Sequence, residues 1–302
     1  MKIPLNIPSP ISTLKLFDDG TRIDIKREDL IHPLFGGNKW RKLKYNIEAF
    51  KNSDHSCIVS FGGTFSNHIS ALAHICDYHN IPCVGLIRTD TIDEDNPTLQ
   101  TVRKCGMKLH SVSRAEYRLK EKSEQVQDIL DMYPGAYLVP EGGSNRLARQ
   151  GVSEILEEFR DEDYDYVMVA AGTGMTAAGI ITSLDPACRL IAVNVLKNRS
   201  LDDSIKSYLE AEHNNWQVDH EHHFGGYAKV PDELIEFYHH FYTDYKIELD
   251  PVYNAKLMYA AFDLIKNGDI APSSRVLCIH TGGLQGIRAY EYLSGKVWTP
   301  RN

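Results

Sequence analysis

The sequence predicts an α/β protein of two domains, built from open, twisted, mostly parallel sheets with helices on both faces. Two observations predict it. Short apolar runs alternate with amphipathic stretches along almost the whole chain, the pattern of parallel strands joined by crossover helices. The 302 residues also exceed what one hydrophobic core ordinarily serves. Strands are expected at 57–61, 83–87, 137–139, 166–171, 190–195 and 276–279, each an apolar run of the kind covered on both faces. Helices follow from Trp40, Leu43, Ile47 and Phe50, spaced three and four apart, and from 231–245, where Pro231 suits a first turn. A further helix is expected at 253–267, with Gly268 just past its end as a stop. Residues 213–223 are polar, rich in His and Asn, and read as a surface excursion. No repeat and no low-complexity linker separates two halves, so the domains must interleave, the chain crossing between them more than once.

At 42% hydrophobic and 25% charged, the composition is that of an ordinary globular protein. The net charge of −8 argues against a broad nucleic-acid surface or an anionic membrane partner. An anionic ligand would then need a local pocket. The six cysteines form no CxxC pair and no zinc-like cluster, and several sit in apolar runs where a thiol acts as a small hydrophobe. A reduced, cytoplasmic protein is expected. The start is broken by prolines and lacks a signal-peptide apolar region, and no stretch is long and apolar enough to span a bilayer.

Four glycine-bearing loops carry the candidate chemistry. In Gly36-Gly37-Asn38-Lys39-Trp40-Arg41-Lys42, Asn38 can cap a helix beginning beside Lys39. The positive end of the helix dipole, with Arg41 and Lys42, would disfavour a protonated Lys39 amine, as imine and base chemistry require. Taken alone, the loop reads first as a basic, solvated turn. Phe61-Gly62-Gly63-Thr64-Phe65-Ser66-Asn67-His68 follows a strand and offers hydrogen bonds at a helix start. Alone, it is equally a turn with a Ser or Asn cap. In Gly172-Thr173-Gly174-Met175-Thr176, consecutive amides and hydroxyls suit a single phosphate monoester. Neither a Walker A lysine nor the dinucleotide glycine spacing is present; tight helix–strand packing is the competing explanation. His280-Thr281-Gly282-Gly283 closes the last strand and puts Thr281 at the carboxyl edge of a sheet. His220, His222 and His223 lack a metal-ligand spacing and read as a solvated loop, so no metal is expected.

Together these loops resemble the fold-type II pyridoxal-5′-phosphate enzymes, whose fold is that of the tryptophan synthase β chain. Within them the likeness is to the 1-aminocyclopropane-1-carboxylate (ACC) deaminase / D-cysteine desulfhydrase family. It runs in order through Lys26-Arg27-Glu28-Asp29, Gly36-Gly37-Asn38-Lys39, Ser66-Asn67-His68 and Pro140-Glu141-Gly142-Gly143-Ser144-Asn145. It continues through the 172–176 loop, Leu249-Asp250-Pro251-Val252-Tyr253 and His280-Thr281-Gly282-Gly283. The resemblance implies pyridoxal phosphate as cofactor, Lys39 as the Schiff-base lysine and Lys42 as its basic neighbour. Asn67 would bond the ring 3′-oxygen, and Gly172, Thr173, Gly174, Met175 and Thr176 would hold the phosphate. Ser66, Asn67 and His68 would meet the substrate, and Tyr227 and Tyr253 match the family's active-site tyrosines. It further implies a small domain at 49–147, a large cofactor domain from 1–48 and 148–302, and a homodimer.

Two positions bear on the reaction. ACC deaminases typically carry Glu directly after the Pro-Val-Tyr motif and Leu at the position of Thr281; here Asn254 and Thr281 stand at those places. Asn254 cannot supply a charge to keep the pyridine nitrogen protonated. Thr281 matches the hydroxyl partner of the desulfhydrases. The expected reaction is therefore α,β-elimination from a small amino acid, D-cysteine first, giving pyruvate, ammonia and sulfide. The alternatives are an ACC deaminase that tolerates Asn254, giving 2-oxobutyrate and ammonia, and a protein that binds the cofactor or amino acids without significant turnover.

Overall fold

The computed structural model describes residues 4–159 and 162–300. In chain order the strands are Ile11–Leu16 (β1), Arg22–Arg27 (β2), Cys57–Gly63 (β3), Cys83–Arg88 (β4) and Lys108–Val112 (β5). They continue with Ala136–Val139 (β6), Tyr166–Ala171 (β7), Arg189–Asn194 (β8), Trp216–Asp219 (β9) and Arg275–His280 (β10). They form two sheets. The larger has the order β1-β2-β10-β7-β8-β9 and the smaller β5-β4-β3-β6. Every pairing is parallel except β1 with β2. The α/β class with mostly parallel sheets is thus observed. All six expected strands form, because runs such as Val167-Met168-Val169 and Leu277-Cys278-Ile279 are buried on both faces.

The expected helices appear as Asn38–Lys51, Asp232–Tyr245 and Asn254–Lys266, the last followed by Gly268 at φ 80°. Two sequence readings need correction. Asn38 is not the cap of its helix: Gly37 occupies that place at φ 86°, and the Asn38 carboxamide turns elsewhere. The polar stretch 213–223 is not wholly an excursion either, since Trp216–Asp219 adds an edge strand to the larger sheet. Ser66 does cap the helix Asn67–His79, accepting from Ile69 N at 3.2 Å.

The helix Asn38–Lys51 is anchored by buried charge. Arg41 donates to Glu28 at 2.9 Å and to Glu158 at 2.5 Å, while Lys26 Nζ donates to Glu158 at 2.6 Å. Its neighbour, the helix Arg146–Glu157, approaches so closely that a Cβ on Gly151 would lie 1.9 Å from the Arg41 carbonyl oxygen. Only glycine fits there.

Candidate active site

Loops at the carboxyl ends of strands from both sheets line one cavity of about 710 Å³, within the usual range for small-molecule sites. From the smaller sheet come Gly63, Ser66, Asn67, His68 and Arg88; from the larger come Gly172–Gly174, Thr176 and Thr281–Gly283, and the connection between the helices Asp232–Tyr245 and Asn254–Lys266 adds Asp250–Tyr253. Lys39 and Lys42 enter from the helix between β2 and β3.

Two distant loops are stitched together to place Lys39. The Asn38 amide donates to the Thr281 carbonyl at 3.1 Å, and Gly37 and Gly282 form an isolated bridge. A Cβ on Gly37 would sit 2.1 Å from the Thr281 oxygen, so the close approach, like the positive φ, demands glycine. Asn38 then orients its neighbours: its Nδ2 donates to Thr176 Oγ1 and its Oδ1 accepts from Lys39 Nζ, both at 3.0 Å.

Burial governs the charges in the site. Burial lowers the Lys39 amine to about 8, with Asp250 opposing the shift. Lys42 is held well below the ordinary lysine value, by burial first and by Lys39 second. No hydrogen bond or ion pair to the Lys42 amine exists among the described residues, although the side chain is buried. Burial, with Lys39 and Lys42 nearby, pushes His68 down to about 3, so its ring is neutral. Ser60 spends its proton on the Val139 carbonyl at 2.8 Å, so we assign the 2.7 Å contact with His68 as Nε2–H donating to Ser60 Oγ. His68 Nδ1 is left as a buried acceptor without a partner.

Asp250 also lines the cavity, but its oxygens are committed: Oδ1 accepts from Val252 N and Tyr253 N, and Oδ2 from Asn254 N and Nδ2. Burial raises its pKa against those bonds. Asn254 is fully buried. Its Nδ2 donates to Asp250 and to the Gly282 carbonyl at 2.8 Å, and its Oδ1 accepts from Thr281 N at 2.9 Å and lies 3.4 Å from Thr281 Oγ1. Tyr253 packs against Gly172, where a Cβ would meet its ring at 3.3 Å; burial and then Tyr227 raise its phenol. Tyr227, 54% exposed, stands at the rim. Asn67 accepts from Gln285 Nε2 and lies against Gly283.

Of the residues singled out in the sequence, Lys39, Lys42, Ser66, Asn67, His68, Gly172, Thr173, Gly174, Thr176, Tyr227, Tyr253 and Thr281 line this cavity. Met175 and Asn254 do not; both are buried behind it. The sequence reading missed Asp250 as a lining carboxylate and Arg88 as a lining cation. Asp250 lay within a quoted motif, whereas nothing in the sequence marked Arg88. Among the expected bystanders, His222 bridges Asp219 at 2.7 Å and Asp263 at 3.1 Å, and His220 pairs with Asp202 at 2.7 Å.

A cavity with two buried lysines, one of them unpaired, and an amide- and hydroxyl-lined loop at 172–176 is chemically suited to an anionic aldehyde cofactor. The sequence profile of the family described as pyridoxal-phosphate dependent enzymes matches residues 4–282. This chain belongs to that family. It is similar to a putative 1-aminocyclopropane-1-carboxylate deaminase of Thermotoga maritima, 28% identical over 96% of this chain and 98% of the relative. It is also similar to the mitochondrial bifunctional D-cysteine desulfhydrase/1-aminocyclopropane-1-carboxylate deaminase of Arabidopsis thaliana, 30% identical over 93% of this chain and 78% of the relative. Among solved structures, an ACC deaminase homologue superposes with a TM-score of 0.80 at 25% identity, covering 96% of this chain and 94% of the other.

Proposed function

We propose that this enzyme uses pyridoxal phosphate to eliminate a β-substituent from a small amino acid, D-cysteine first, releasing pyruvate, ammonia and sulfide. The observation that carries this reading is the state of Asn254 and Asp250. The first is uncharged, and the second has spent its oxygens on the turn at 250–254. The ring nitrogen of a bound cofactor would then have the Thr281 hydroxyl within reach and no uncommitted carboxylate among the described residues, since the other lining carboxylate, Glu141, pairs with Lys120. When bound, pyridoxal phosphate supplies an electron sink that labilises bonds at the substrate Cα. Without a carboxylate that sink is weaker, which suffices for a good leaving group such as thiolate. Opening a cyclopropane asks more. ACC deamination to 2-oxobutyrate remains the second reading, favoured by the names of both relatives.

The residues divide the work as follows. Lys39 would hold the cofactor through its Nζ and, once displaced by the incoming substrate amine, would take the Cα proton, since burial leaves a large fraction of the free amine neutral near pH 8. Lys42, unpaired and held well below the ordinary lysine value in the empty cavity, would regain its proton beside an anionic group there. The 172–176 loop would hold the phosphate through its backbone amides and the Thr173 and Thr176 hydroxyls, with the Met175 side chain buried away from it. Asn67 meets the ring oxygen, Ser66 and His68 face the substrate, and Tyr227 and Tyr253 close the substrate side. Residues 49–147 would form the small domain and the described residues on either side of them the large one. A cytoplasmic homodimer completes the reading; six free cysteines fit a reducing compartment.

The test is product release by the reconstituted enzyme from D-cysteine, L-cysteine, D-serine and ACC. Pyruvate and sulfide from D-cysteine support the reading. Substantial 2-oxobutyrate from ACC overturns it in favour of the second.

A further inference from the structure

The carboxyl edge of the smaller sheet opens into a second cavity of about 430 Å³ beside the first. The two share Gly63, Phe65, Arg88 and Tyr227, so they are adjoining chambers with a common wall. Three guanidiniums line the second. Arg88 ends β4, and Arg114 and Arg118 follow β5, one helical turn apart and therefore on one face. None of the three pairs with a carboxylate among the described residues, whereas Arg22, Arg41 and Arg149 each hold one. Glu141, the carboxylate beside Tyr117, is already paired with Lys120 at 2.7 Å. Lys120 also lies 3.4 Å from the centroid of the Tyr117 ring, and Arg88 lies 5.5 Å from the same centroid.

Tyr117, only 2% exposed, forms the floor of this chamber, and burial and then the neighbouring Glu141 raise its phenol. The three guanidiniums converge on the opening without a carboxylate between them, a weak repulsion at exposed positions. One anion entering the chamber relieves it. Guanidiniums suit the planar or trigonal oxygens of carboxylates, sulfinates and sulfonates. The net charge of −8 makes this local excess of positive charge a specific feature rather than a general one. Arg88 also stands next to the substrate loop: a Cβ on Gly63 would lie 3.7 Å from its Nη2.

We propose that this chamber is a side-chain subsite, and that the preferred substrates are amino acids bearing a second anionic group at or beyond Cβ. The proposal rests on the β-elimination reading and names its substrate class. Cysteine is accepted, but an acidic side chain binds more tightly.

The test titrates the cofactor absorbance of the holoenzyme with both enantiomers of cysteate and aspartate, and with cysteine and alanine, at low and high sodium chloride. At least one acidic amino acid should bind about tenfold or more tightly than alanine, the worth of one charge-assisted hydrogen bond, and salt should narrow the gap. Cysteate against aspartate separates sulfonate from carboxylate preference. Arg114→Gln with Arg118→Gln, two exposed positions, should weaken the acidic ligand about tenfold more than alanine. Acidic ligands that bind no tighter than alanine, or a variant that weakens both alike, overturn the subsite while neutral substrates still react. If no amino acid perturbs the absorbance or releases ammonia, the elimination reading fails and the subsite with it.

Discussion

Lys39 shows how burial tunes one amine. A lysine in water titrates near 10.4, so at pH 8 few molecules are neutral. Here burial brings the value to about 8, and Asp250 keeps it from falling further. Capture of pyridoxal phosphate by the apoprotein should accelerate as pH rises through about 8, then level off well below pH 10. Stopped-flow absorbance measures this, and a midpoint near 10 would refute the account. His222 titrates in the opposite sense. Its bond to Asp219 raises its pKa above 6.5, burial opposes, and Asp263 assists, while Asp219 itself is lowered by its bond to His222 against a larger burial cost. A raised histidine stabilises fully below its unfolded value near 6.5, and that contribution is lost as pH rises through the folded value. The His222→Gln protein should therefore lose most stability near pH 5–6 and little above pH 8. Thermal melts across that range decide it. Equal loss at both ends would mean the ring matters only by packing.

At the level of elements, the chain hid some of its strands. β2 reads Arg-Ile-Asp-Ile-Lys-Arg, a sequence whose charges suggest solvent, yet its four central residues are buried. Asp24 accepts from Tyr164 at 2.9 Å and Lys26 from within reaches Glu158, partners that lie more than a hundred residues away and leave no local trace. β5 and β9 are sheet edges with half-polar faces, so neither gave the apolar run that marked the interior strands. The glycine loops were legible because backbone geometry dictates their composition. The cap at Gly37 was misassigned to Asn38 because nothing local reveals that the Thr281 carbonyl must approach. The buried charges at Glu28 and Arg41 carry a prediction. Glu28→Ala leaves Arg41 short of its main partner inside the protein and should cost about 3–5 kcal/mol in chemical denaturation. Because Arg41 lies two residues beyond Lys39, cofactor affinity should fall with it. A stability loss below about 1 kcal/mol would show that Glu158 and water suffice.

Across the whole molecule, the active-site cavity takes its walls from both sheets, so occupancy couples them. Pyridoxal phosphate at one hundred times its Kd should stabilise the apoprotein by about 2.7 kcal/mol, with Lys39→Ala requiring far more cofactor for the same effect. Differential scanning calorimetry of both proteins measures this, and identical dose dependence would contradict Lys39 as the anchor. The pairing of β2 with β10 has a temporal meaning as well. The smaller sheet draws all its strands from one continuous stretch, Cys57 to Val139, and is complete in the order it is synthesised. The larger sheet is not. Its second strand emerges from the ribosome early and must wait for Arg275–His280 before it gains its parallel neighbour. The lysine beside it waits too, since the carbonyl that positions its loop belongs to Thr281. A nascent chain therefore carries its reactive amine without the pocket that activates it, and becomes competent for cofactor only after Thr281 has been made and has folded back.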